Sequence, residues 1–530
     1  MLPGLLAWSM LLLPFVLAPI YPALVAYFIL AFSFYWFAKA LNMMRNLLRG
    51  FPRLRRNMKI DWLDRCKLVS KNPELLLERL RDDYKKSRDR KDLFDLNELN
   101  NMKENFNLIK NWEEIYQVVF VTNFREDINI TGPSYEAIKN SNYPNEKIII
   151  VSCGERNDEK NYIKVREALR EKYQDVFLDI QYYMHDLQEG EVRGKGANLY
   201  SAGHKFMEFL TRNHPEIKPE NVFVTTLDGD HIIHKEYFSR LTYKYIIDPN
   251  RDRKTYQPVP ILFNNIWDAP APNRVLAMSN SFFQIIEAVR PFRLKTFAAH
   301  SQSLQTLLIT DFWSNKTIVE DGHQFWRTYF AYNGDHEMVA LFIPVYMDCV
   351  LAENLFKTFK NQYMQMRRWA WGISDFPFVV KNFMKHPEIP FGEKCLQTFR
   401  LFGGHFSWST ASFLLAFAWV PLLFNKSFQD TVLAHNVTYF SSTIMNLAWI
   451  GLFVNIWIFF TLLPKRPSHL RKTRYFGMII QWLLVPVVAL FLSAIPALES
   501  QTRLMIGKYL DYFWSTPKVR KTALTKETHL

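Results

Sequence analysis

Two carboxylates directly follow a short apolar run of the chain. The run Val222–Leu227 is followed by Asp228-Gly229-Asp230-His231, so a buried strand is predicted to end in an acidic pair spaced around one glycine. Such a pair can present its oxygens to a hard divalent cation, and Mg²⁺ is commonly held by one or two carboxylates together with substrate phosphates. Because Asp-Gly-Asp is also an ordinary turn sequence, the pair by itself leaves both interpretations open.

A second acidic pair, Glu320-Asp321, precedes a predicted helix over His323–Phe330. An Asp in this place is either a helix N-cap or a carboxylate that takes a proton from an attacking hydroxyl group, as general-base catalysis requires. The pair alone does not decide between a capping role and a catalytic one.

A third cluster, Gln365, Arg368 and Trp369, lies in a predicted helix rich in Lys, Arg and aromatic residues, Lys357–Trp371. One interpretation is a juxtamembrane helix whose arginines meet lipid phosphates. The other is an Arg that braces a leaving pyrophosphate beside a Trp face on which a sugar ring packs. Taken singly, each cluster has a structural interpretation as good as the catalytic one, whereas three such clusters in this order favour catalysis.

The chain around these clusters alternates short apolar runs with longer amphipathic segments. The predicted strands are Tyr116–Thr122, Lys147–Ser152, Val176–Tyr182, Asn221–Leu227 and Tyr256–Phe263, and the predicted helices cover 133–142, 159–172, 195–213 and 235–247. This alternation predicts an α/β domain with a mainly parallel, Rossmann-like sheet. Ligands of such sheets bind beyond the carboxyl ends of the strands.

The flanks of this domain are apolar enough for a membrane. Residues 2–41 carry one charged side chain, Lys39, and the stretches 401–424, 438–463 and 475–498 carry no Asp, Glu, Lys or Arg. Each approaches or exceeds the length of a spanning helix. Basic residues gather beside these stretches and contribute to the net charge of +14, as the positive-inside rule expects of cytoplasmic flanks. The pattern excludes a fully soluble protein and argues against nucleic-acid binding.

The sequence therefore predicts an integral, multi-pass membrane protein with a cytoplasmic α/β domain. The predicted parts are an N-terminal transmembrane hairpin (1–42), a basic juxtamembrane and charged helical linker (43–115), the α/β domain (116–372), an interfacial helix region (373–400), C-terminal transmembrane helices (401–498) and a cytoplasmic tail (499–530). The hairpin is expected to turn at Ala18–Pro22. With the tail on the cytoplasmic side, 475–498 is expected to be re-entrant or kinked at Pro486 and Pro496.

Together the three clusters resemble the D-x-D, E-D and Q-x-x-R-W series of membrane-embedded family 2 glycosyltransferases, which include cellulose, hyaluronan and chitin synthases. The resemblance covers about residues 116–372 and the flanking apolar segments, and three ordered motifs are a more specific signal than one. It implies a GT-A-type fold between transmembrane helices. It also implies that Asp228 and Asp230 bind Mg²⁺ or Mn²⁺, with His231 as a further candidate for the metal shell.

Segments on both sides extend the resemblance to the nucleotide. Val121-Thr122-Asn123-Phe124-Arg125-Glu126 is similar to the family stretch that lines the nucleotide pocket, and Gly194-Lys195-Gly196 is similar to a segment whose lysine meets the nucleotide. These matches make Thr122, Glu126 and Lys195, together with Asp228, candidate residues for binding the nucleotide sugar. The family usually has an Asp-Asp pair after the second strand; here Glu155 is the candidate for that carboxylate.

Near the carboxyl end, Phe513-Trp514-Ser515-Thr516-Pro517-Lys518 resembles the F-x-V-T-x-K gating loop of cellulose synthases, with Ser515 in place of Val. Thr516 and Lys518 are therefore further candidate site residues.

The resemblance implies an inverting, metal-dependent transfer of a sugar from a nucleotide sugar, expected to be a UDP-sugar, to a hydroxyl acceptor at the membrane. Asp321 would act as the general base and Glu320 would orient its neighbours. Gln365, Arg368 and Trp369 would bind the diphosphate or the acceptor.

The gating-loop-like segment and the several membrane stretches favour processive synthesis of a β-linked polysaccharide. The alternatives are transfer of one sugar to a lipid, such as ceramide or polyprenyl phosphate, and a catalytically inactive membrane scaffold or transporter. The expected partners are a nucleotide-sugar donor, a polysaccharide or lipid acceptor and the lipid bilayer, without nucleic acid; partner subunits are not indicated.

Overall fold

An eight-stranded sheet lies at the centre of the protein, and the computed structural model describes residues 1–87, 90–510 and 512–520. The strands are β1 (Tyr116–Thr122), β2 (Ile148–Glu155), β3 (Asp179–His185), β4 (Val222–Asp228), β5 (Ile232–Ile233), β6 (Lys254–Ile261), β7 (His300–Ser303) and β8 (Glu337–Tyr346). Their spatial order is β3-β2-β1-β4-β7-β6-β8-β5. β5 and β7 run antiparallel to their neighbours and the other adjacent pairs are parallel. The predicted α/β domain with a mainly parallel sheet is confirmed.

The inner strands β1, β2 and β4 form because each is a nearly continuous apolar run, as is typical of strands buried on both faces of a parallel sheet. β1 and β4 pair in register with Thr122 opposite Asp228. β2 and β3 continue the same parallel array, with Glu155 opposite His185. The carboxyl ends of all four strands therefore lie at one edge of the sheet, where polar side chains meet.

Five α-helices precede the sheet in the described part of the chain. They are α1 (Leu2–Leu17), α2 (Pro22–Asn57), α3 (Trp62–Lys71), α4 (Pro73–Ser87) and α5 (Arg90–Asn101). The break between α1 and α2 falls where the prolines predict a turn. Trp62 of α3 and Leu76, Leu77 and Leu80 of α4 are buried in one hydrophobic cluster with residues of β1 and β2, so the charged linker is packed against the α/β domain.

Seven helices surround the sheet or connect its strands. They are α6 (Ile128–Lys139), α7 (Glu159–Tyr173), α8 (Lys195–Asn213), α9 (Tyr237–Ile246), α10 (Ala271–Ala288), α11 (Leu304–Ile309) and α12 (Glu320–Ala331). α6 starts five residues before the predicted 133–142 because the Asp127 carboxylate caps it, accepting the N–H groups of Asn129 and Ile130. β3 starts later than predicted because the Val176 N–H closes a turn on the Tyr173 carbonyl.

The helices after β8 include most of the apolar ones. They are α13 (Leu355–Ala370), α14 (Asp375–Lys385), α15 (Phe391–Phe417), α16 (Lys426–Gln429), α17 (Val432–Leu462), α18 (Arg474–Ile480), α19 (Val485–Val488) and α20 (Ile495–Met505). In the described part of the chain, three helical segments are long and apolar enough to cross a membrane: Pro22–Asn57, Phe391–Phe424 and Arg474–Met505. The predicted stretch 438–463 lies in α17 up to Leu462, and the side chains at 438, 445 and 448–450 are outside the described set.

The segment 474–505 is broken rather than straight. A 3₁₀ turn and a π turn separate α18, α19 and α20, and Pro486 and Pro496 lie in this interrupted region. Both ends of the segment contact the α/β domain. Arg474 Nη2 donates to the Trp267 carbonyl at 2.6 Å, and Ser500 Oγ donates to the Arg367 carbonyl at 2.6 Å. The segment is therefore kinked, and its predicted course relative to a membrane stays a prediction.

Candidate active site

Asp228 ends β4 between two basic side chains. Its Oδ1 accepts a hydrogen bond from Lys195 Nζ at 2.5 Å and a weaker one from Thr122 Oγ1 at 3.4 Å. His231 faces the other oxygen, with Nε2 3.5 Å from Oδ2. Burial alone would raise the pKa of Asp228, but the charges of Lys195 and His231 outweigh burial and hold that pKa well below its usual range.

Asp230 is buried, and both of its carboxylate oxygens have hydrogen-bond partners. One carboxylate oxygen bonds Lys518 Nζ, and the other accepts the backbone N–H of Asp348 at 2.9 Å. Its backbone carbonyl accepts the side-chain amide of Asn264 at 3.0 Å. Lys518 also lies 3.5 Å from Glu126 Oε1, so one ammonium group joins two carboxylates.

The acidic pair fits a divalent cation. Donor atoms of Asp228, Asp230 and His231 lie within 4.8 Å of one another, and two carboxylates match the oxygen preference of Mg²⁺ and Mn²⁺. His231 fits less well, because its Nδ1 accepts the Asp228 backbone N–H at 3.0 Å, which places the proton of the neutral ring on Nε2. A protonated nitrogen does not coordinate a metal. Asp228 and Asp230 therefore suit the metal, and His231 suits donation to their oxygens.

Lys195 is held at the site by the close packing of α8 on the segment that leads into α12. A Cβ atom on Gly196 would lie 2.3 Å from the Ser314 carbonyl oxygen and 2.9 Å from Glu320 Cβ. Only glycine permits this approach, so the start of α8 and the start of α12 meet directly. Lys195 Nζ also donates to the Ala298 carbonyl at 3.1 Å, which fixes its direction.

Glu320 and Asp321 open α12 at this contact. Burial and the neighbouring Asp321 charge raise the pKa of Glu320 to about 8, and Glu320 Oε2 is buried without a hydrogen-bond partner among the described residues. Burial likewise raises the pKa of Asp321. Asp321 Oδ1 accepts only the adjacent Gly322 N–H, at 2.8 Å, among the hydrogen bonds of the described chain. Asp321 is partly buried, and a partly buried, weakly bonded carboxylate of raised pKa suits proton abstraction.

Arg368 connects the third sequence cluster to the first two. Burial lowers its pKa, while the negative charges of Glu320, Asp321 and Asp228 act in the opposite direction. These interactions place one guanidinium within electrostatic range of both acidic motifs. The guanidinium stacks 3.9 Å from the centre of the Phe513 ring, and its Nε has no hydrogen-bond partner in the described chain.

The other two residues of that cluster have different surroundings. Gln365 Oε1 accepts a hydrogen bond from Gln362 Nε2 at 3.1 Å, one turn earlier in α13. Trp369 is partly buried and packs against the large hydrophobic cluster that joins the sheet to the apolar helices. Of the third cluster, Arg368 is the residue whose charge interacts with the two acidic motifs. The roles predicted for Gln365 and Trp369 stay predictions.

The loop after β1 shapes the edge of the site beside Thr122. Arg125 has a positive φ of 69°, a left-handed conformation that is costly for a residue with a Cβ. Its N–H donates to Asp158 at 2.6 Å, and the Phe124 N–H donates to Glu126 Oε2 at 2.7 Å. The loop therefore turns Glu126 inwards, where burial raises its pKa to about 7 against the opposing charge of Lys518.

Glu155 lies at the end of β2 and is not joined to the acidic pair by any hydrogen bond of the described residues. It contacts the buried His185 instead, 3.1 Å from Nδ1, and Glu191 contacts the other ring nitrogen at 2.9 Å. Burial alone would lower the pKa of His185, but the two carboxylates outweigh burial and raise it. This arrangement sets Glu155 at the same sheet edge as Asp228, two strands away.

The segment 512–520 crosses the site. It begins beside the start of α8, where the Phe513 N–H donates to the Arg193 carbonyl at 3.0 Å. Trp514 Nε1 then donates to Asn361 Oδ1 of α13 at 2.9 Å. Lys518 Nζ bonds Asp230. Thr516 lies between Trp514 and Lys518 in the chain and is partly buried. Residues 511 and 521–530 of the predicted tail are outside the described part.

Sequence reasoning missed Asp348 and Arg520. Asp348 follows β8 as Asp228 ends β4, and Arg520 binds both its oxygens at distances of 2.8 to 3.1 Å. An acidic residue just after an apolar run was the available signal for Asp348, but the run 337–346 was not assigned as a strand. Arg520 had no local signal, because its partner lies 172 residues away.

No protein-family model and no curated protein sequence matches this chain. Among solved structures, the chain is similar to a mannosyltransferase from Pyrobaculum calidifontis, PcManGT, in complex with GDP-Man and Mn²⁺; the identity is 10%, the match covers 74% of this chain and 88% of that one, and the TM-score is 0.40. It is also similar to S. aureus TarS 1–349 in complex with UDP-GlcNAc, with 13% identity, 74% and 93% coverage and a TM-score of 0.33. Both TM-scores are below 0.5, so we base the function proposed below on the site.

Proposed function

We propose that the protein is an inverting glycosyltransferase that moves a sugar from a nucleotide sugar to a hydroxyl acceptor at a membrane. The observation that carries the proposal is the convergence of charges on Asp228: Lys195 contacts it, and Arg368 lies in electrostatic range of Asp228, Glu320 and Asp321. Two cations beside a carboxylate pair and a separate, weakly bonded carboxylate are the groups that displacement of a diphosphate requires.

Each group has a defined task in this transfer. The acceptor oxygen attacks the anomeric carbon, the bond from that carbon to the diphosphate oxygen breaks, and Asp321 takes the acceptor proton. Lys195 and Arg368 stabilise the negative charge that develops on the leaving diphosphate. A divalent cation held by Asp228 and Asp230 would supply further electrostatic stabilisation there. In-line attack inverts the anomeric centre, so an α-linked donor gives a β-linked product.

The nucleotide is proposed to extend along the sheet edge. From Asp228 it would pass Thr122 at the end of β1 and reach Glu155 at the end of β2. Neighbouring strands lie about 4.8 Å apart, so the end of β2 lies about 10 Å from the end of β4, two strands away, and the nucleotide would bridge that distance. A carboxylate there accepts an N–H from the base, as uracil and guanine provide. A uridine nucleotide remains our expectation from the sequence resemblance.

Processive polymer synthesis is favoured over single transfer by polar groups inside the apolar helices. Ser409, Thr410 and Gln501 are buried in segments that are apolar enough to span a membrane. His405 Nδ1 and Gln501 Oε1 are buried without hydrogen-bond partners in the described chain, and such groups in a membrane segment commonly mark a substrate path. Sugar hydroxyls would satisfy them. In this proposal the α/β domain is cytoplasmic and feeds the product into the helices.

The test is a panel of nucleotide sugars incubated with purified protein, with release of nucleoside diphosphate and product size both measured. We expect one donor to be turned over, loss of turnover in EDTA, and its restoration by Mn²⁺ or Mg²⁺. Asp321→Asn should abolish transfer and leave donor binding intact, whereas Asp335→Asn, on the exposed loop after α12, should behave as wild type. Normal turnover by Asp321→Asn would remove the assigned base. A ladder of products indicates a polymer, and a single glycosylated lipid indicates the alternative.

A further inference from the structure

A basic cavity of about 970 Å³ lies apart from the proposed active site, at the base of α13. Its wall is formed by the start of α10, the loop 351–354, the first turn of α13 and Arg474 at the start of α18. Lys360, the last lining residue on α13, precedes Arg368 by eight positions, which is about 12 Å along a helix. The residues that line this cavity include none of the predicted catalytic residues.

The charges of the wall are unbalanced. Four basic side chains line the cavity, and the two acidic ones are Asp268 and Glu353. Glu353 is already paired with Lys357, one turn later, and Asp268 has an interaction of its own. Arg274, Lys360 and Arg474 have no ion-pair partner among the described residues. With four basic and two acidic side chains, the wall carries a net charge of +2.

Arg274 is the most informative of these side chains, since it is only 7% exposed. Its Nε donates to Gln481 at 2.7 Å and its Nη1 to the Ala269 carbonyl at 2.6 Å, while Nη2 makes no hydrogen bond to the described residues. Burial and the neighbouring charge of Arg474 lower the pKa of Arg274 to about 10. Two guanidinium groups are thus held near each other with hydrogen bonds to amide and carbonyl oxygens of the described residues and not to a carboxylate, an arrangement that suits a phosphate.

The cavity lies beside the ends of apolar helices, where lipid headgroups would lie if these helices cross a membrane. The apolar helix α17 ends at Leu462 and the next apolar segment begins at Arg474, so both approach this level from the same side. Trp267 connects the two: its Nε1 donates to the Pro464 carbonyl at 3.1 Å, and its ring packs edge-on against Tyr475. Trp and Tyr are enriched at the membrane–water boundary.

Two apolar side chains beside the cavity are left facing outwards. Leu355 is 62% exposed and Phe356 is 77% exposed, although both begin a helix whose other side is buried. A soluble phosphate would bind the arginines without any use for these residues. An acyl chain next to a phosphate headgroup would cover them, and the burial of their apolar surface would add to the ionic contacts.

We infer that this cavity binds the phosphate headgroup of an anionic membrane lipid, with Arg274 and Arg474 on the phosphate and Leu355 and Phe356 against the acyl chains. The inference rests on the proposed membrane placement of segment 474–505, and it does not require the transferase activity.

The test measures lipid binding without any nucleotide sugar, so it can fail or succeed independently of the transferase proposal. Detergent-purified full-length protein is mixed with phosphatidylcholine and phosphatidylglycerol, and the lipids retained are counted by native mass spectrometry. We expect wild type to retain phosphatidylglycerol in preference. Arg274→Gln combined with Arg474→Gln should weaken retention by at least about tenfold, as loss of charge-assisted hydrogen bonds predicts.

The matched control is Arg471→Gln combined with Lys472→Gln, which removes the same charge from the adjacent loop without touching the cavity wall, and it should retain the lipid as wild type does. Because Arg274 is buried, Lys360→Gln with Arg474→Gln serves as a second variant pair that leaves Arg274 in place, and it should also lose retention. Equal retention by all variants would overturn the inference. Binding of inorganic phosphate that phosphatidylglycerol does not displace would show a soluble anion site and would equally contradict it.

Discussion

Replacing Lys518 by methionine should tighten the binding of Mn²⁺ to the protein in the absence of nucleotide. Lys518 Nζ bonds Asp230 directly and lies 3.5 Å from Glu126 Oε1. Its ammonium group therefore compensates the carboxylate that is proposed to hold the metal, and a cation must displace it. Methionine keeps most of the side-chain volume and removes the charge and the hydrogen bond.

The size of the effect follows from the contact that is lost. A hydrogen bond between charged groups contributes about 1.5–3 kcal/mol, and about 1.4 kcal/mol corresponds to a tenfold change in affinity. One effect opposes the gain: Lys518 lowers the pKa of Glu126, which burial has raised to about 7. Without Lys518 the pKa of Glu126 rises further, Glu126 takes up a proton near neutral pH, and the site loses one negative charge. We therefore expect the low end, about tenfold tighter binding.

The assay is calorimetric titration of Mn²⁺ into wild type, Lys518→Met and Lys508→Met. Lys508 is exposed in the same carboxyl-terminal region, so its replacement removes an equal charge away from the site and should leave the affinity unchanged. An affinity of Lys518→Met equal to or weaker than that of wild type would refute the reasoning, because Lys518 would then not compete with the ion.

Three further predictions concern residues that position the site. Glu499→Gln should lower kcat with donor affinity unchanged. Glu499 accepts hydrogen bonds from Tyr363 and Arg367 of α13 at 2.6 and 2.7 Å and so holds that helix in place. A kcat equal to that of wild type would show that these bonds are not needed to position α13. Gly196→Ala should lower stability by about 1–3 kcal/mol in urea unfolding, since the new Cβ meets a backbone oxygen; an unchanged midpoint would contradict the close packing. The raised pKa of His185 stabilises the fold fully below pH 6.5 and less at higher pH. The Tm difference between wild type and His185→Gln should therefore shrink as pH rises, and a constant difference would exclude this titration.

The strands buried on both faces were the part of the fold most readable from the sequence. β1, β2 and β4 are nearly continuous apolar runs, and their predicted positions agree with the structure within three residues at each end. β7 (His300–Ser303) carries no apolar residue. It is buried because Ser301 bonds Thr225 and Gln302 bonds Thr255, contacts that join distant parts of the chain. No local pattern reports such a strand.

The candidate site likewise contains residues that the sequence predicted and residues that it could not indicate. Asp228, Asp230 and Asp321 were predicted as site residues because three polar clusters follow one another in an order that resembles a known motif series, whereas each acidic pair alone also fits a turn or a helix cap. Arg520 contributes only through a partner far away in the sequence, and local spacing could not indicate it. For Glu155 the sequence predicted the position at the end of the second strand but not the partner. Its contact with His185 depends on the pairing of β2 with the neighbouring β3.

The most direct measurement is a structure of the protein soaked with Mn²⁺ and the nucleoside diphosphate that the donor panel identifies, with the ion located by anomalous scattering. We predict one manganese peak between the carboxylates of Asp228 and Asp230, with the diphosphate reaching towards Lys195 and Arg368 and with Lys518 displaced from Asp230. An ion bound elsewhere, or a diphosphate that contacts neither Lys195 nor Arg368, would contradict the proposed site.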